Sequence, residues 1–409
     1  MKKFTKGSVL LLQLDSRLDA NNAADTERQI MQEIEQNRPK YVIIDAVSLE
    51  YISSVGLRIL LRIKKEVDAT QIVNVSTEVF DILSMTGFTE IMDVKKAFRQ
   101  VNIEDCRILC SGEFDITYKL NSDQIVKVFN EGISYEEMIR EREYAKAAFI
   151  SGVPTAIPFD TVKVGTRYGN VYELTNSRPL SETICGDPYN IDIYAEKAVD
   201  LLKLLSDTHA QPGRFHRFVD RMLEEIEIID RYIAGEKLFT PEEKELVIRL
   251  YNTVPERDTL IHGAFHTHNI FEQNGELLLM NMANTSTGHQ IFEIGNMYLA
   301  FVIISEKADE QTKQLIGLDN SRAIYFFNKM LQIYFSDFTS EDMQSLRSIA
   351  EVLGHLRMMT TVVTASSMDN LSQELKRKYL FGMKGVLKSI FFDNSEKIIA
   401  DTAKLSEKF

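Results

Sequence analysis

The sequence of 409 residues predicts an α/β domain followed by an α+β region that has a small β-rich lobe and a larger helical lobe. The first hundred residues alternate strand-like and helix-like patterns, which favours a mainly parallel sheet with covering helices. Short β-type runs separated by turn residues follow from about residue 105, and the pattern is mostly helical from about Ala195. We therefore expect a first domain over residues 1–102, a β-rich lobe over 106–176 and a helical lobe over 177–409.

The composition excludes several classes of protein. There are 47 basic and 60 acidic residues, a net charge of −13, so a nucleic-acid partner is not expected. The three cysteines form no CxxC pair, which argues against a disulfide framework or a zinc ribbon. The longest apolar stretch after the N-terminus, residues 297–304, is too short to cross a bilayer. We expect a cytoplasmic protein with no membrane partner.

The elements of the first domain follow from hydrophobic periodicity. Apolar β-type runs predict three strands, and apolar residues at helical spacing predict three helices between and after them. The predicted strands cover residues 9–14, 41–47 and 71–75, and the predicted helices cover residues 24–36, 57–67 and 77–85. This order is a βαβαβα alternation.

The second region is predicted to contain short strands, a long helix and a later β-like block. Turn residues at 121–123 join two β-type runs as a hairpin, and Gly152 with Pro154 ends a strong helix. The predicted strands cover residues 107–112, 117–120, 124–129, 161–164 and 170–174, the helix covers 134–151, and a β-like block covers 269–282.

Ser54 lies where the strand over residues 41–47 gives way to a helix, at the expected N-cap. Free backbone N–H groups and the positive end of the helix dipole favour an anion there. A phosphate on Ser54 would add nearly two negative charges to an exposed surface, enough to switch an interface. The alternative is that Ser54 only caps the helix.

The first hundred residues resemble STAS domains, the fold of bacterial anti-sigma factor antagonists. The resemblance rests on Leu18-Asp19-Ala20, on Ser53-Ser54-Val55-Gly56-Leu57 and on Met85-Thr86-Gly87-Phe88. It implies a phosphoacceptor at Ser54 and, as a partner, an anti-sigma-type serine kinase. Ser53 stands where many antagonists have Asp, so Ser53 is the alternative acceptor.

Residues 106–409 resemble the aminoglycoside phosphotransferase and choline-kinase-like family, which has a bilobal protein-kinase-like fold. The resemblance rests on Leu260-Ile261-His262-Gly263-Ala264-Phe265-His266-Thr267-His268-Asn269-Ile270 and on Asn274 to Asn284. The family pattern is His-Gly-Asp-x-His-x-x-Asn, then a hairpin, then a metal-binding Asp. By this resemblance the two acids are replaced by Ala264 and Asn281, and Asn284 replaces a further frequent acid. Asn269 keeps the other metal-facing position.

Phosphoryl transfer needs a carboxylate to position the acceptor hydroxyl and another to hold Mg²⁺ against the phosphates. Ala264 and Asn281 supply neither, and Mg²⁺ strongly prefers carboxylate ligands. The sequence therefore predicts a pseudokinase with a weakened magnesium site. Two alternatives are an active enzyme whose acids lie elsewhere and a deliberate replacement of the acids.

Lys127 and Glu141 are the remaining candidates for a nucleotide site. Lys127 has apolar neighbours in a predicted strand, and Glu141 falls on an apolar helical stripe with Met138, Ala145, Ala148 and Phe149. A carboxylate on such a stripe needs a cation, so the two side chains are expected to pair; the alternative is two unrelated surface charges. By the resemblance, this pair positions the lysine on the phosphates of ATP.

Two further residues belong to the expected nucleotide site. Gly112 lies in the loop before Lys127, and a single glycine there is a weak phosphate-loop signal. Glu113 and Asp115 would place negative charge close to a triphosphate. Glu173 lies in the segment that the resemblance identifies as the hinge facing adenine. His262 and His266 are expected to be structural, since no Cys or acid completes a zinc set with them.

The sequence thus supports two functional hypotheses. In the first, a STAS domain switched at Ser54 is joined to a pseudokinase that acts as a sensor or scaffold and binds ATP without turnover. In the second, the chain is an ATP-dependent small-molecule phosphotransferase with a STAS regulatory module.

Overall fold

The computed structural model describes residues 2–6, 8–112, 115–174, 176–232, 237–306, 309–364 and 372–409. The chain divides into two compact units, Met1–Gln100 and Val101–Phe409. None of the helices in these described ranges is both long and apolar enough to cross a membrane.

The described residues of the first unit form short strands and four helices. Its strands are β1 (Lys2–Lys6), β2 (Val9–Gln13), β3 (Arg17–Leu18), β4 (Tyr41–Asp45), β5 (Tyr51–Ile52), β6 (Thr70–Val75), β7 (Asp93–Lys96) and β8 (Arg99–Gln100). Its helices are α1 (Ala23–Asn37), α2 (Ser54–Glu66), α3 (Thr77–Met85) and α4 (Phe88–Ile91).

Five of these strands form a mixed sheet in the order β1-β2-β4-β6-β7. The β2–β4, β4–β6 and β6–β7 pairs are parallel, as the βα alternation predicts, while β1 pairs antiparallel with β2. The inward faces of β2 and β4 bury Leu10, Leu12, Val42 and Ile44, on which the amphipathic helices pack.

In the described residues, the second unit begins with five antiparallel strands and one long helix. The strands are β9 (Arg107–Ser111), β10 (Asp115–Lys119), β11 (Gln124–Phe129), β12 (Asp160–Val164) and β13 (Arg167–Glu173), and the helix is α5 (Tyr135–Ile150). Their order in the sheet is β12-β13-β11-β10-β9. A capping box between Ser134 and Glu137 starts α5, and Gly152 follows its end with a φ of 100°.

The remainder of the second unit is mostly helical. Its strands are β14 (Ser177–Pro179), β15 (Leu260–Ile261), β16 (Ile270–Gln273), β17 (Glu276–Leu279) and β18 (Ser286–Thr287). Its helices are α6 (Leu180–Gly186), α7 (Ile191–Asp207), α8 (Phe218–Tyr232), α9 (Pro241–Thr253), α10 (Gln290–Tyr298), α11 (Asp309–Ile316), α12 (Asn320–Tyr334), α13 (Ser340–Thr364), α14 (Gln373–Ile390) and α15 (Ser395–Ser406). A π-helix, Leu299–Ile303, continues α10.

The order of an α/β unit, a β-rich segment and a helical segment is the predicted fold class. Among the differences from the sequence predictions, two concern single residues. Ser53, not Ser54, is the N-cap of α2, because Ser53 has an extended backbone and its Oγ accepts from Gly56 N at 3.4 Å. Phe149, placed on the buried stripe of α5, is 54% exposed in the last turn of that helix.

Candidate functional site

A cavity of about 860 Å³ in the second unit brings together seven of the predicted site residues. They come from the strands of the sheet, from α5 and from the segment around the β16–β17 hairpin: Gly112, Lys127, Glu141, Ala264, Asn269, Asn281 and Asn284. Glu173, predicted as a hinge residue, does not line this cavity; it is exposed at the end of β13, opposite Gln124. Glu113 lies outside the described residues.

Lys127 is buried because of the alternation of β11. Val126 and Val128 pack on one face of the sheet, which turns Lys127 to the other face. Its Nζ lies 2.7 Å from both carboxylate oxygens of Glu141 on α5. The contact predicted between these two side chains is therefore present, with only 2% of each residue exposed.

A third charge, which the sequence analysis did not pair with Lys127, completes this cluster. Asp115 at the start of β10 places Oδ2 3.2 Å from Lys127 Nζ, while its Oδ1 is buried without a hydrogen-bond partner among the described residues. Burial alone would lower the pKa of Lys127, but Asp115 and Glu141 outweigh it and raise the pKa. Burial raises the pKa of Glu141 in spite of Lys127. One ammonium thus serves two carboxylates, which leaves little positive charge for a phosphate.

The frame of the site is the segment between β15 and β16. Gly263 has a φ of 77°, and a Cβ there would lie 2.7 Å from Asn284 O, so only glycine fits. The buried carboxylate of Glu293 on α10 accepts from the backbone N–H groups of His262 and Gly263. Burial raises the pKa of Glu293 to about 7 although these N–H groups stabilise its charge. Glu293 therefore holds the segment between β15 and β16 in place through these hydrogen bonds, and no sequence motif indicated this residue.

The two histidines of this segment act as hydrogen-bond anchors. His262 Nε2 donates to Met280 O at 2.8 Å, and His266 Nε2 accepts from Asn269 Nδ2 at 3.1 Å. Burial lowers the pKa of His262 to about 4 and that of His266 well below its usual value. Both rings are therefore neutral at pH 7.

Asn269 and Asn281 meet because the β16–β17 hairpin pairs Ile270 with Leu279. Met280 N then donates to Asn269 O at 2.8 Å, which brings the next residue beside Asn269. The Asn281 side-chain amide donates to Asn269 Oδ1, and Asn269 Nδ2 donates to Ala264 O at 2.9 Å. The side-chain amides of Asn269 and Asn281 are thus hydrogen-bonded to each other, and Asn269 is also hydrogen-bonded to the backbone of Ala264.

The residues present do not fit a magnesium site. Of the expected ligand positions, Ala264 has no oxygen in its side chain, and Asn269 Oδ1 already accepts from Asn281. Asn281 Oδ1 is a neutral buried acceptor, whereas proteins usually hold Mg²⁺ through one or two carboxylates. Within the described part of the chain, no group of three or more His, Cys, Asp or Glu side chains could hold a metal ion.

Arg221 on α8 and Arg357 on α13 also line the cavity, and nothing in the sequence pattern indicated either of them. Arg221 Nη1 donates to Asn284 O at 3.3 Å and to Asn284 Oδ1 at 3.4 Å. Helical periodicity places arginines on a polar face but does not say which cavity that face meets.

The start of α2 is the candidate site of the first unit. Ser53 is half-buried and its hydroxyl is used as the cap, while Ser54 is exposed as the first residue of the helix. Gly56 allows α2 to approach β3 closely, because a Cβ there would lie 2.6 Å from Leu18 O. Between the two serines, Ser54 is the one whose side chain faces solvent.

Comparison with protein-family models identifies a domain family for the first unit. The family model of the STAS domain matches residues 2–102, so this segment is a STAS domain. No curated protein matches the chain.

Among solved structures, the chain is similar to a choline/ethanolamine kinase family protein from Mesorhizobium loti. The identity is 10% and the TM-score 0.46, over 73% of this chain and 92% of that one. It is also similar to the ADP-bound aminoglycoside phosphotransferase APH(2'')-Ib, with 17% identity and a TM-score of 0.46, over 68% of this chain and 91% of that one.

Proposed function

We propose that this chain is a regulatory protein in which a STAS domain is joined to a kinase-like unit that binds a ligand without transferring phosphate. The observation that carries the proposal is the closed amide pair of Asn269 and Asn281 beside Ala264. By the family resemblance, Ala264 stands where a catalytic base is required and Asn281 where a metal-binding acid is required. The second unit then acts as a sensor or a scaffold.

The chemistry of phosphoryl transfer supports this reading. A base must accept the proton of the acceptor hydroxyl, and metal ions must neutralise the phosphate oxygens. Ala264 accepts no proton, and the amide pair offers no charge to a metal ion. Loss of both functions removes several kcal/mol of transition-state stabilisation, since each 1.4 kcal/mol is about a factor of ten in rate.

ATP is the proposed ligand, bound without turnover. A cavity of about 860 Å³ is in the size range of small-molecule sites, and Lys127 with Glu141 forms the pair expected for a nucleotide site. The negative charge of Asp115 beside Lys127 would repel the phosphate groups of ATP. We therefore expect weak ATP binding that does not depend on Mg²⁺.

The test is calorimetric titration of the full chain with ATP, with and without Mg²⁺, followed by an assay of the same sample for ADP. Binding in both conditions without ADP supports a nucleotide sensor, and Lys127→Met should then weaken it. No binding in either condition supports a scaffold. ADP above the buffer rate that disappears in Lys127→Met would restore an ATP-dependent phosphotransferase and contradict the proposal.

The STAS domain is the proposed protein-binding part, switched by phosphate on Ser54. A phosphate at this exposed first position of α2 would add charge at a helix N-terminus without disturbing the Ser53 cap. The proposed partner is an anti-sigma-type serine kinase.

Capture of such a kinase by the full chain tests the switch. Ser54→Asp should reduce capture at least tenfold, while Ser54→Ala should capture like the natural chain. Equal capture by Ser54→Asp would contradict gating at Ser54, and a loss found only in Ser53→Asp would assign the switch to Ser53.

A further inference from the structure

Two arginines on α8 and α13, which line one wall of the cavity, contact the same carboxylate. Arg357 Nη1 lies 2.9 Å from Glu225 Oε2, and Arg221 Nε lies 3.4 Å from Glu225 Oε1. One carboxylate therefore serves two guanidinium groups. Since arginine stays protonated in proteins, these two guanidinium groups carry one positive charge more than the carboxylate that they contact among the described residues.

Of the two arginines, Arg221 has the guanidinium donors that lack hydrogen-bond partners among the described residues. Its side chain is 20% exposed, and its Nη2 is buried with no hydrogen-bond partner among the described residues. Burial, together with the like charge of Arg357, lowers the pKa of Arg221 to about 10. A buried guanidinium donor without an acceptor is costly, so an acceptor from a ligand would be stabilising.

The other acids on this wall do not supply that acceptor. Asp220 and Glu224 line the cavity but are exposed to solvent. Asp220 lies 3.4 Å from Arg217, which also pairs with Glu256 at 2.9 Å. Exposed acids of this kind are screened and contribute little to a buried charge.

Arg221 reaches the segment where the acids are missing. Its Nη1 bonds to Asn284, and Asn284 O packs against Gly263, the residue before Ala264. Ala264, Asn281 and Asn284 line the same cavity as Arg221, and all three are uncharged. These three residues form the floor of the cavity, which is therefore neutral beside an arginine that shares Glu225 with Arg357.

We propose that Arg221, supported by Arg357 and Asn284, forms a metal-independent binding site for an anionic group of a small molecule, either a phosphate or a carboxylate. The anion accepts hydrogen bonds from the guanidinium donors of Arg221 and takes the space left by the missing acids. This site goes beyond the proposed function, because it requires neither a nucleotide nor Lys127.

The experiment is calorimetric titration of the full chain, in EDTA, with inorganic phosphate, pyrophosphate and citrate. The natural chain should bind at least one of them, and the preferred probe separates phosphate from carboxylate ligands. Arg221→Met should weaken that binding at least tenfold, because a charge-assisted hydrogen bond is lost. Asn284→Asp should weaken it similarly, because it returns a negative charge to the floor.

Arg217→Met is the matched control, since Arg217 lines the same cavity but is exposed and already paired with two acids. It should change the affinity less than threefold. Circular dichroism and the midpoint of thermal unfolding identify variants that do not fold, and Asn284→Asp provides a second variant. The proposal is overturned if the natural chain binds none of the three probes, if binding requires Mg²⁺, or if Arg221→Met and Asn284→Asp bind as tightly as the natural chain. ATP binding that survives these results would leave the proposed function in place.

Discussion

At the residue scale, the amide pair of Asn269 and Asn281 makes a prediction about metal ions. Asn281→Asp replaces the donor to Asn269 Oδ1 with an oxygen, so two acceptors face each other. We expect the variant to lose about 1–3 kcal/mol of stability in EDTA and to regain part of it in Mg²⁺. Thermal unfolding with and without Mg²⁺ measures this, with Asn274→Asp at an exposed turn as the control. A natural chain that Mg²⁺ stabilises equally would contradict the reading.

Glu293 makes a prediction about pH. Its folded pKa of about 7 lies above the usual 4.5, so the folded state holds a proton that the unfolded state releases. The stability from this group is complete below about pH 4.5 and is lost as the pH rises through 7. Glu293→Gln keeps an acceptor for the loop without the charge. Urea unfolding at pH 5 and pH 8 should show the variant gaining up to about 3 kcal/mol relative to the natural chain at the higher pH. A difference that is constant with pH would show that Glu293 does not titrate in this range.

Site residues could be predicted from the sequence where the spacing of apolar residues around them showed which face of a helix or strand is buried. The Lys127–Glu141 contact was predictable because both residues lie on periodic elements whose buried faces can be read. The Asp115–Lys127 contact depends on the pairing of β10 with β11, and Arg221 depends on where α8 packs. These contacts depend on how separate elements pack together, and no residue spacing in the sequence indicates that packing.

At the element scale, α2 makes a prediction that separates its two serines. Ser53 Oγ accepts from Gly56 N and caps the helix, whereas Ser54 is the exposed first residue. Ser53→Ala should cost the STAS domain about 1 kcal/mol, within the usual range of 0.5–2, and Ser54→Ala should be nearly neutral. Chemical unfolding followed by circular dichroism gives both values. Equal costs for the two variants would mean that the cap is shared.

Elements with strong periodicity were predicted closely, and those without it were missed. The predicted α3 and β11 match the structure residue for residue, and α5 begins and ends one residue inside the predicted range 134–151. The strand β1 was missed because Lys2–Lys6 is an edge strand with little apolar alternation, which becomes regular only by pairing with β2. The one-residue error at the N-cap of α2 arose because two adjacent serines are equally good caps by composition.

At the scale of the whole molecule, each unit has its own core. The core of the first unit consists of residues between Leu10 and Met92. The main core of the second unit consists of residues between Tyr144 and Leu405. A unit that buries its own apolar surface can unfold without the other, so calorimetry of the full chain should show two transitions.

A matched pair of substitutions tests the independence of the two cores. Ile44 and Ile349 are both fully buried, one in each core, and Ile→Ala at either site removes about 2–5 kcal/mol. Ile44→Ala should lower one transition by roughly 8 °C or more, because a unit of about 100 residues has a small unfolding entropy. Ile349→Ala should lower the other transition by a smaller amount per kcal/mol, because its unit is about three times longer. A single transition lowered by both variants would mean that the two units unfold together, and a ligand bound in the cavity of the second unit would then stabilise the STAS domain as well.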